Sequence, residues 1–151
     1  MTPETPNPER DPAALLRLVL WRADKAVEAV ENDRLARQGL CLTDFAILEV
    51  LLHKGPLPVN TIGKKVLLTS GSITSAVSRL QDKGMVTREA DAQDRRVTRV
   101  RLTPEGQALI TEHYQKHLEC LREMAGALTP GERDTLVGLL KKLGRHAESM
   151  R

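Results

Sequence analysis

Apolar side chains recur along this chain in two rhythms, a period near 3.6 over most of its length and a period near 2 in one short stretch, which predicts helices interrupted by a β-hairpin. Asp11-Pro12 joins a favoured N-cap to a favoured first-turn proline, so a first helix is predicted from there to about Gln38, with Gly39 as its C-cap. Its apolar positions, Leu15, Leu16, Val19, Trp21, Ala23, Ala26, Val27 and Val30, exceed one narrow stripe, which suits a helix covered on two surfaces, one by the core and one by a partner chain. Thr43 is placed to cap a second helix carrying Phe45, Ile47, Leu48, Leu51 and Leu52, which stops at Lys54-Gly55-Pro56. A short third helix begins near Pro58, where Val59, Ile62, Gly63 and Val66 fall at i, i+3, i+4 and i+7, and Leu67-Leu68 close its turn. Thr69 or Ser70 then caps a fourth helix that ends near Lys83-Gly84.

Past Gly84 the rhythm changes. Residues 85–88 read as a short strand, and residues 97–102 alternate apolar with polar or basic side chains. The charged tip between them, residues 89–96, makes the pair a hairpin. Thr103-Pro104-Glu105 restarts a helix that should run to about Ala125. Thr129-Pro130-Gly131-Glu132 has the form of a capping box and opens a sixth helix with Leu136, Val137, Leu139, Leu140 and Leu143 on its apolar face. Residues 1–10, with Pro3, Pro6 and Pro8 among polar neighbours, bury little and read as a mobile tail. The expected architecture is mainly α with a small β-hairpin wing, in one continuous fold. Its segments are the N-terminal helix (11–40), a helix-turn-helix with its wing (41–102) and the C-terminal helices (103–151).

Composition agrees with a helical, aliphatic core, since the 151 residues hold one Trp, one Tyr and one Phe. The charge is more informative. From Val59 to Arg101 there are nine Lys or Arg against four Asp or Glu, a local balance of +5 in a chain whose total is +3. The basic charge is therefore concentrated in the middle, as a polyanion partner would require. Two cysteines are too few for a disulfide scaffold, the first residues lack the form of a signal peptide, and no apolar run reaches membrane-spanning length. A cytoplasmic protein with no membrane partner is expected.

The fourth helix carries the functional signal. With Ile73, Val77 and Leu80 on one face and Ala76 beside them, Gly71, Thr74, Ser75, Ser78, Arg79 and Asp82 fall on or near the other. An outward face of long Glu and Lys side chains would be ordinary solvated helix. Short hydroxyls instead let a helix approach the floor of a DNA major groove, where Ser and Thr bond base edges or phosphates. Ser70, Ser72, Thr74, Ser75, Ser78 and Arg79 are the candidate recognition residues, Arg79 being the candidate guanine contact. Lys64 and Lys65 are candidate phosphate clamps. A short helix, a tight turn and a second helix with a polar outer face describe a helix-turn-helix. The hairpin behind it carries Arg88, Arg95, Arg96, Arg99 and Arg101, within reach of the adjacent backbone or minor groove.

These segments resemble the multiple-antibiotic-resistance regulator (MarR) family. The resemblance rests on Leu42-Thr43 with the helix after it, the run Leu68-Thr69-Ser70-Gly71-Ser72-Ile73-Thr74, and Arg79-Leu80-Gln81-Asp82-Lys83-Gly84-Met85-Val86. It continues in Asp94-Arg95-Arg96-Val97 leading to Val100-Arg101-Leu102-Thr103-Pro104-Glu105-Gly106, and covers nearly all of the chain after residue 10. It implies a winged helix-turn-helix transcriptional regulator, a homodimer paired through its first, fifth and sixth helices, with two recognition helices in successive major grooves of a pseudo-palindromic site. A repressor is the expected sign of regulation. Asp94 and Arg96 match the family's wing motif, in which an acid and a base brace the hairpin and an arginine reaches the minor groove; whether Arg95 or Arg96 does the bracing stays open. Gln93 stands where many members carry a further Arg.

The resemblance also implies a small aromatic or phenolic effector, for which Trp21, Phe45 and His53 are the candidate pocket residues, with core packing as the alternative for the two aromatics. His113 and His117 at i, i+4, with Cys120 at i+7 from His113, form a weak candidate for zinc, set against a polar helix face. Cys41 and Cys120 read first as small buried hydrophobes rather than redox switches. No cofactor is expected, and no phosphate loop, His-Glu-x-x-His or serine elbow supports an enzyme. The rival reading, a helical partner-binding module, accounts for the leucine-rich ends but not for the hydroxyl-faced helix or the arginine hairpin.

Overall fold

The computed structural model describes residues 11–94 and 96–151. The expectation for the N-terminal tail and the role given to Arg95 lie outside the described residues. The elements, in chain order, are α1 (Pro12–Ala36), α2 (Leu42–Lys54), β1 (Leu57–Pro58), α3 (Val59–Lys65), α4 (Ser70–Asp82), β2 (Val86–Ala90), β3 (Thr98–Leu102), α5 (Pro104–Ala125) and α6 (Pro130–Ser149). Two compact units divide the chain inside α5, one reaching to Tyr114 and the other Gln115–Arg151.

Capping chemistry sets the helix starts. Asp11 accepts from the N–H groups of Ala13 and Ala14 with Pro12 in the first turn, Thr69 accepts from Ser72, and Thr129 with Glu132 completes a reciprocal capping box. At α2 the cap is not Thr43. Cys41 holds the extended cap conformation and its Sγ accepts from the Asp44 N–H at 3.5 Å, which places Thr43 inside the first turn. A thiol is a weak acceptor, so composition points to the threonine while the backbone turns two residues earlier.

The core of the first unit is aliphatic around a single aromatic. Leu35, Phe45, Ile47, Leu48, Leu51, Ile62, Ile73, Val77, Leu80, Val86, Val100 and Ile110 are all buried in one cluster. Two glycines allow the close approaches this cluster needs. A Cβ on Gly63 would stand 3.1 Å from Ile73 Cγ2, so α3 and α4 pack nearly backbone to side chain there. A Cβ on Gly106 would stand 2.0 Å from the Met85 carbonyl oxygen, and that same junction is tied by Thr103, whose Oγ1 donates to Gly84 O at 2.7 Å and whose N–H donates to Met85 O at 3.1 Å. The start of α5 is thereby fastened to the end of α4.

The wing is a three-stranded antiparallel sheet in the order β1-β3-β2, not a bare hairpin. Leu57 pairs with Val100 and Pro58 with Arg99, while Val86 through Ala90 pair with Leu102 back through Thr98. A two-residue strand has no alternation to read, and its proline sits at the sheet edge, where a missing N–H is tolerated. β2 extends to Ala90 and β3 begins at Thr98, so the tip is shorter than the charge pattern suggests. In the second unit, α6 has no buried residue, and Leu136, Val137, Leu139, Leu140 and Leu143 lie exposed. Among the described residues no helix is long and apolar enough to cross a membrane.

Candidate nucleic-acid interface

The candidate recognition element is α4, presented by α3 through the turn at Val66–Thr69. Leu67 in that turn holds φ +57 and is almost wholly exposed, and the Leu68 N–H donates back to Gly63 O at 2.9 Å. Ile73, Ala76, Val77 and Leu80 are buried, anchoring one face of α4 in the core. The opposite face carries Ser70, Gly71, Ser72, Thr74 and Ser75, all exposed, with Ser78 half-buried beside them. Lys64 and Lys65 are exposed at the end of α3.

Several of these hydroxyls are held in fixed directions. Thr69 Oγ1 donates to Ser72 Oγ at 2.9 Å while accepting from the Ser72 N–H, and Thr74 Oγ1 donates to Ser70 O at 2.8 Å, leaving its lone pairs as acceptors. Ser78 Oγ accepts from Arg88 at 3.0 Å, and the same guanidinium reaches Thr74 O at 3.5 Å. Arg88 therefore bridges β2 to α4 and sets the wing against the recognition helix. This is a different task from the groove contact that its place in the hairpin suggested.

Arg79 also has a different occupation from the one its outward position implied. Its Nε donates to both oxygens of Asp44, at 3.2 and 3.3 Å, its terminal nitrogen donates to Asp44 Oδ1, and Lys83 Nζ donates to Asp44 Oδ2 at 3.1 Å. Asp44 is fully buried, whereas the Arg79 and Lys83 side chains are 45% and 46% exposed. Burial alone would push the Asp44 carboxyl up, but hydrogen bonds from Arg79 and Lys83 and the Arg79 charge outweigh it and hold it below the usual carboxylate range. The Arg79 guanidinium, raised in turn by Asp44, has its Nε and one terminal nitrogen engaged before any base could be offered to it. Sequence reading missed Asp44, although a signal was present: positions 44, 48 and 51 share one helical face with Leu48 and Leu51, so a lone acid sat on a core stripe.

The wing is internally cross-braced. Arg96 donates to Asp94 through Nε at 3.1 Å and a terminal nitrogen at 3.3 Å while its side chain stays 91% exposed, so Arg96 is paired with Asp94 in this structure. Arg99 pairs with Asp91 and also donates to Pro56 O at 3.3 Å, and Arg101 reaches Glu89 at 3.2 Å. The Asp91 carboxyl is held down to about 2, chiefly by the Arg99 hydrogen bond and then by the N–H groups of Asp94 and Gln93. Its folded value lies below its ordinary 3.8, so the support it gives the wing tip is complete above about pH 4 and disappears as pH falls towards 2. Carbon-detected NMR titration of the side chain is expected to place its midpoint near 2, and Asp91→Asn to abolish the accompanying spectral change at Arg99; an ordinary midpoint would contradict the brace.

The other candidates are scattered. Phe45 is buried in the core, Trp21 is exposed on α1, and His53 is exposed with its ring 4.8 Å edge-on from that of Tyr114, so these three do not converge as one lining. The aromatic-poor chain uses its one Phe to fill the core. Trp21 instead lines a surface cleft of about 360 Å³ with Arg17, Leu20 and Asp24. His113 donates from Nδ1 to Gln38 Oε1, while His117 and Cys120 are buried. Among the described residues no group of three or more His, Cys, Asp or Glu stands close enough to hold a metal ion.

Known proteins are similar to this chain in sequence and fold. The model of the MarR family matches residues 40–98. MhqR of Bacillus subtilis (strain 168), an HTH-type transcriptional regulator, is 38% identical over 133 residues, covering 88% of this chain and 92% of MhqR. Among solved structures, a cysteine-to-serine variant of MarR from E. coli complexed with operator DNA has a TM-score of 0.78 at 25% identity, over 85% of this chain and 92% of that one. BpsR of Bordetella bronchiseptica, whose DNA binding is regulated by 6-hydroxynicotinic acid, has a TM-score of 0.79 at 25% identity, over 93% of this chain and 98% of that one.

Proposed function

Because this chain belongs to the MarR family of transcriptional regulators, we propose that it is a cytoplasmic repressor that binds a pseudo-palindromic operator as a homodimer and is released by a small aromatic or phenolic effector. The observation that carries this reading is α4, buried along one side and short, polar and exposed along the other. Ser70, Ser72, Thr74 and Ser75 read base edges and phosphates, with Ser78 held beside them by Arg88. Lys64, Lys65 and the wing tip, with Asp94, Arg95 and Arg96, supply the positive flanks.

One helix-turn-helix contacts too little duplex for high specificity, and two placed one helical turn apart, about 34–36 Å, read a palindrome. The unburied leucine face of α6 and the exposed Leu16, Val19, Leu20, Val27 and Val30 of α1 support pairing, because apolar area of that extent is rarely left to water. For the effector, the cleft of Trp21 and Arg17 supports a planar anion, the indole stacking on its ring and the guanidinium bonding its oxygen. In this proposal Arg17 and Trp21 take the place of Phe45 and His53.

The reading is tested by fluorescence-anisotropy titration of duplex DNA at several salt concentrations. A preferred duplex is expected to bind at least about 1,000-fold more tightly than a scrambled one, with log affinity falling linearly in log salt. Addition of 6-hydroxynicotinic acid as the probe is expected to weaken the specific complex. Equal binding of all duplexes would refute the regulator, and indifference to the probe would refute an effector of that class.

A further inference from the structure

We propose that Asp44 is a specificity-determining positioning residue, which holds Arg79 and Lys83 away from DNA phosphates so that the hydroxyl row of the recognition helix decides which sequence is bound. The inference rests on the DNA-binding reading above and deepens it.

Ser75, Arg79 and Lys83 follow one another at steps of four along α4 and its C-cap, so they form one line on the helix surface. The first lies among the short exposed hydroxyls. The next two are the longest cations of that line, and in free solution each would offer a phosphate a sequence-independent attraction. Both are drawn to the same carboxylate, which enters from the first turn of α2, 35 and 39 residues away in the chain. Arg79 meets it with Nε at 3.2 and 3.3 Å and with a terminal nitrogen, and Lys83 at 3.1 Å. Asp44 has no exposed surface, so it cannot itself meet solvent or DNA, whereas the two cations keep nearly half of theirs. The burial fixes the direction of control: the anion is immovable, and the cations are long and free to leave only if it is neutralised. Cys41, exposed rather than buried as the sequence suggested because it caps α2 at the surface, stands beside the pair with its Sγ 3.9 Å from the Arg79 terminal nitrogen.

A purely structural pair would show itself in stability alone. A clamp that restrains cations shows itself in the salt dependence of binding and in the ratio of specific to nonspecific affinity, because each further phosphate that a cation neutralises steepens the salt slope by about 0.9. Asp44→Asn keeps the shape and an acceptor oxygen but removes the charge. Binding to a scrambled duplex is then expected to strengthen about tenfold at moderate salt, with the slope steeper by about 1 to 2 for each protomer bound, so about 2 to 4 for the dimer. The preference for the selected duplex is expected to fall at least about tenfold. Adding Arg79→Gln to Asp44→Asn should return the slope by about 1 for each protomer bound.

Lys83→Gln in the otherwise unchanged protein keeps the assay decisive if Asp44→Asn fails to fold. A restrained Lys83 leaves the slope at its original value, whereas a slope shallower by about 1 for each protomer bound means that Lys83 already touches phosphate and overturns the proposal. A folded Asp44→Asn protein with unchanged slope and unchanged preference overturns it equally. The unmodified protein reports separately on the underlying reading: if it shows no sequence preference, the operator reading fails, while the slopes measured on scrambled duplex still decide whether Asp44 restrains the two cations.

Discussion

Ser75→Glu is expected to leave the protein folded and to cost it its operator, with affinity for the preferred duplex falling at least about 100-fold towards that for a scrambled one. Ser75 is exposed on the outward face of α4, and its substitution touches none of Ile73, Ala76, Val77 and Leu80, which hold the other face in the core. Glutamate is a good helix former, so the helix itself does not suffer. What changes is the approach. A carboxylate on a longer side chain stands where a hydroxyl allowed close contact, and it meets the phosphate oxygens with like charge. A lost base contact costs about 1–3 kcal/mol, and in a dimer the loss is taken twice. At 1.4 kcal/mol per decade, about 2–6 kcal/mol is a factor between roughly 30 and 10⁴ before the repulsion is counted. Circular dichroism checks the fold and anisotropy the affinity. Undiminished binding would mean that DNA meets some other surface.

The second large effect concerns the leucine face. Leu139→Asp combined with Leu143→Asp is expected to convert the protein to monomers and to lower operator affinity by more than about two decades. Leu139 is 59% and Leu143 37% exposed in the single chain, so each has further area to bury against a partner. Full burial of a leucine is worth about 1.5–3 kcal/mol. With roughly half of that available at each of four positions in a two-fold dimer, the apolar loss alone is about 3–6 kcal/mol, and four introduced carboxylates oppose reassociation. Sedimentation velocity at micromolar protein separates the species. Because neither leucine is buried in the single chain, the folded monomer should keep its helical signal. A variant that remains dimeric with full affinity would place the interface elsewhere.

Much of this molecule was legible from residue order. Helix starts at Asp11, Thr69 and Thr129 carry local chemistry, a side chain bonding a backbone N–H two or three residues on, and local chemistry survives in a one-dimensional reading. The buried stripe of α4 was legible for the same reason, since Ile73, Val77 and Leu80 repeat at the helical period. The parts that escaped depend on contacts between distant segments. β1 is too short to alternate and exists because Leu57 meets Val100. Arg79 and Arg88 looked like free cations on a DNA-facing surface until their partners, Asp44 and Ser78, were placed beside them. The second case has the larger consequence. Charge counted along the chain gives the middle segment its positive balance, yet four of its arginines, Arg79, Arg96, Arg99 and Arg101, are paired with acids. The candidate recognition surface therefore offers fewer unpaired cations than the sum suggests, and in the proposed function it depends more on shape and hydroxyls.

That dependence is best examined by letting the protein choose. Purified protein would be mixed with duplexes of random sequence at moderate salt, and the retained fragments sequenced after several rounds. Two inverted half-sites are expected, their centres about 10 base pairs apart, as a pair of α4 helices in successive major grooves requires. Recovery of no common sequence, or of a single half-site without its inverted mate, would contradict the account.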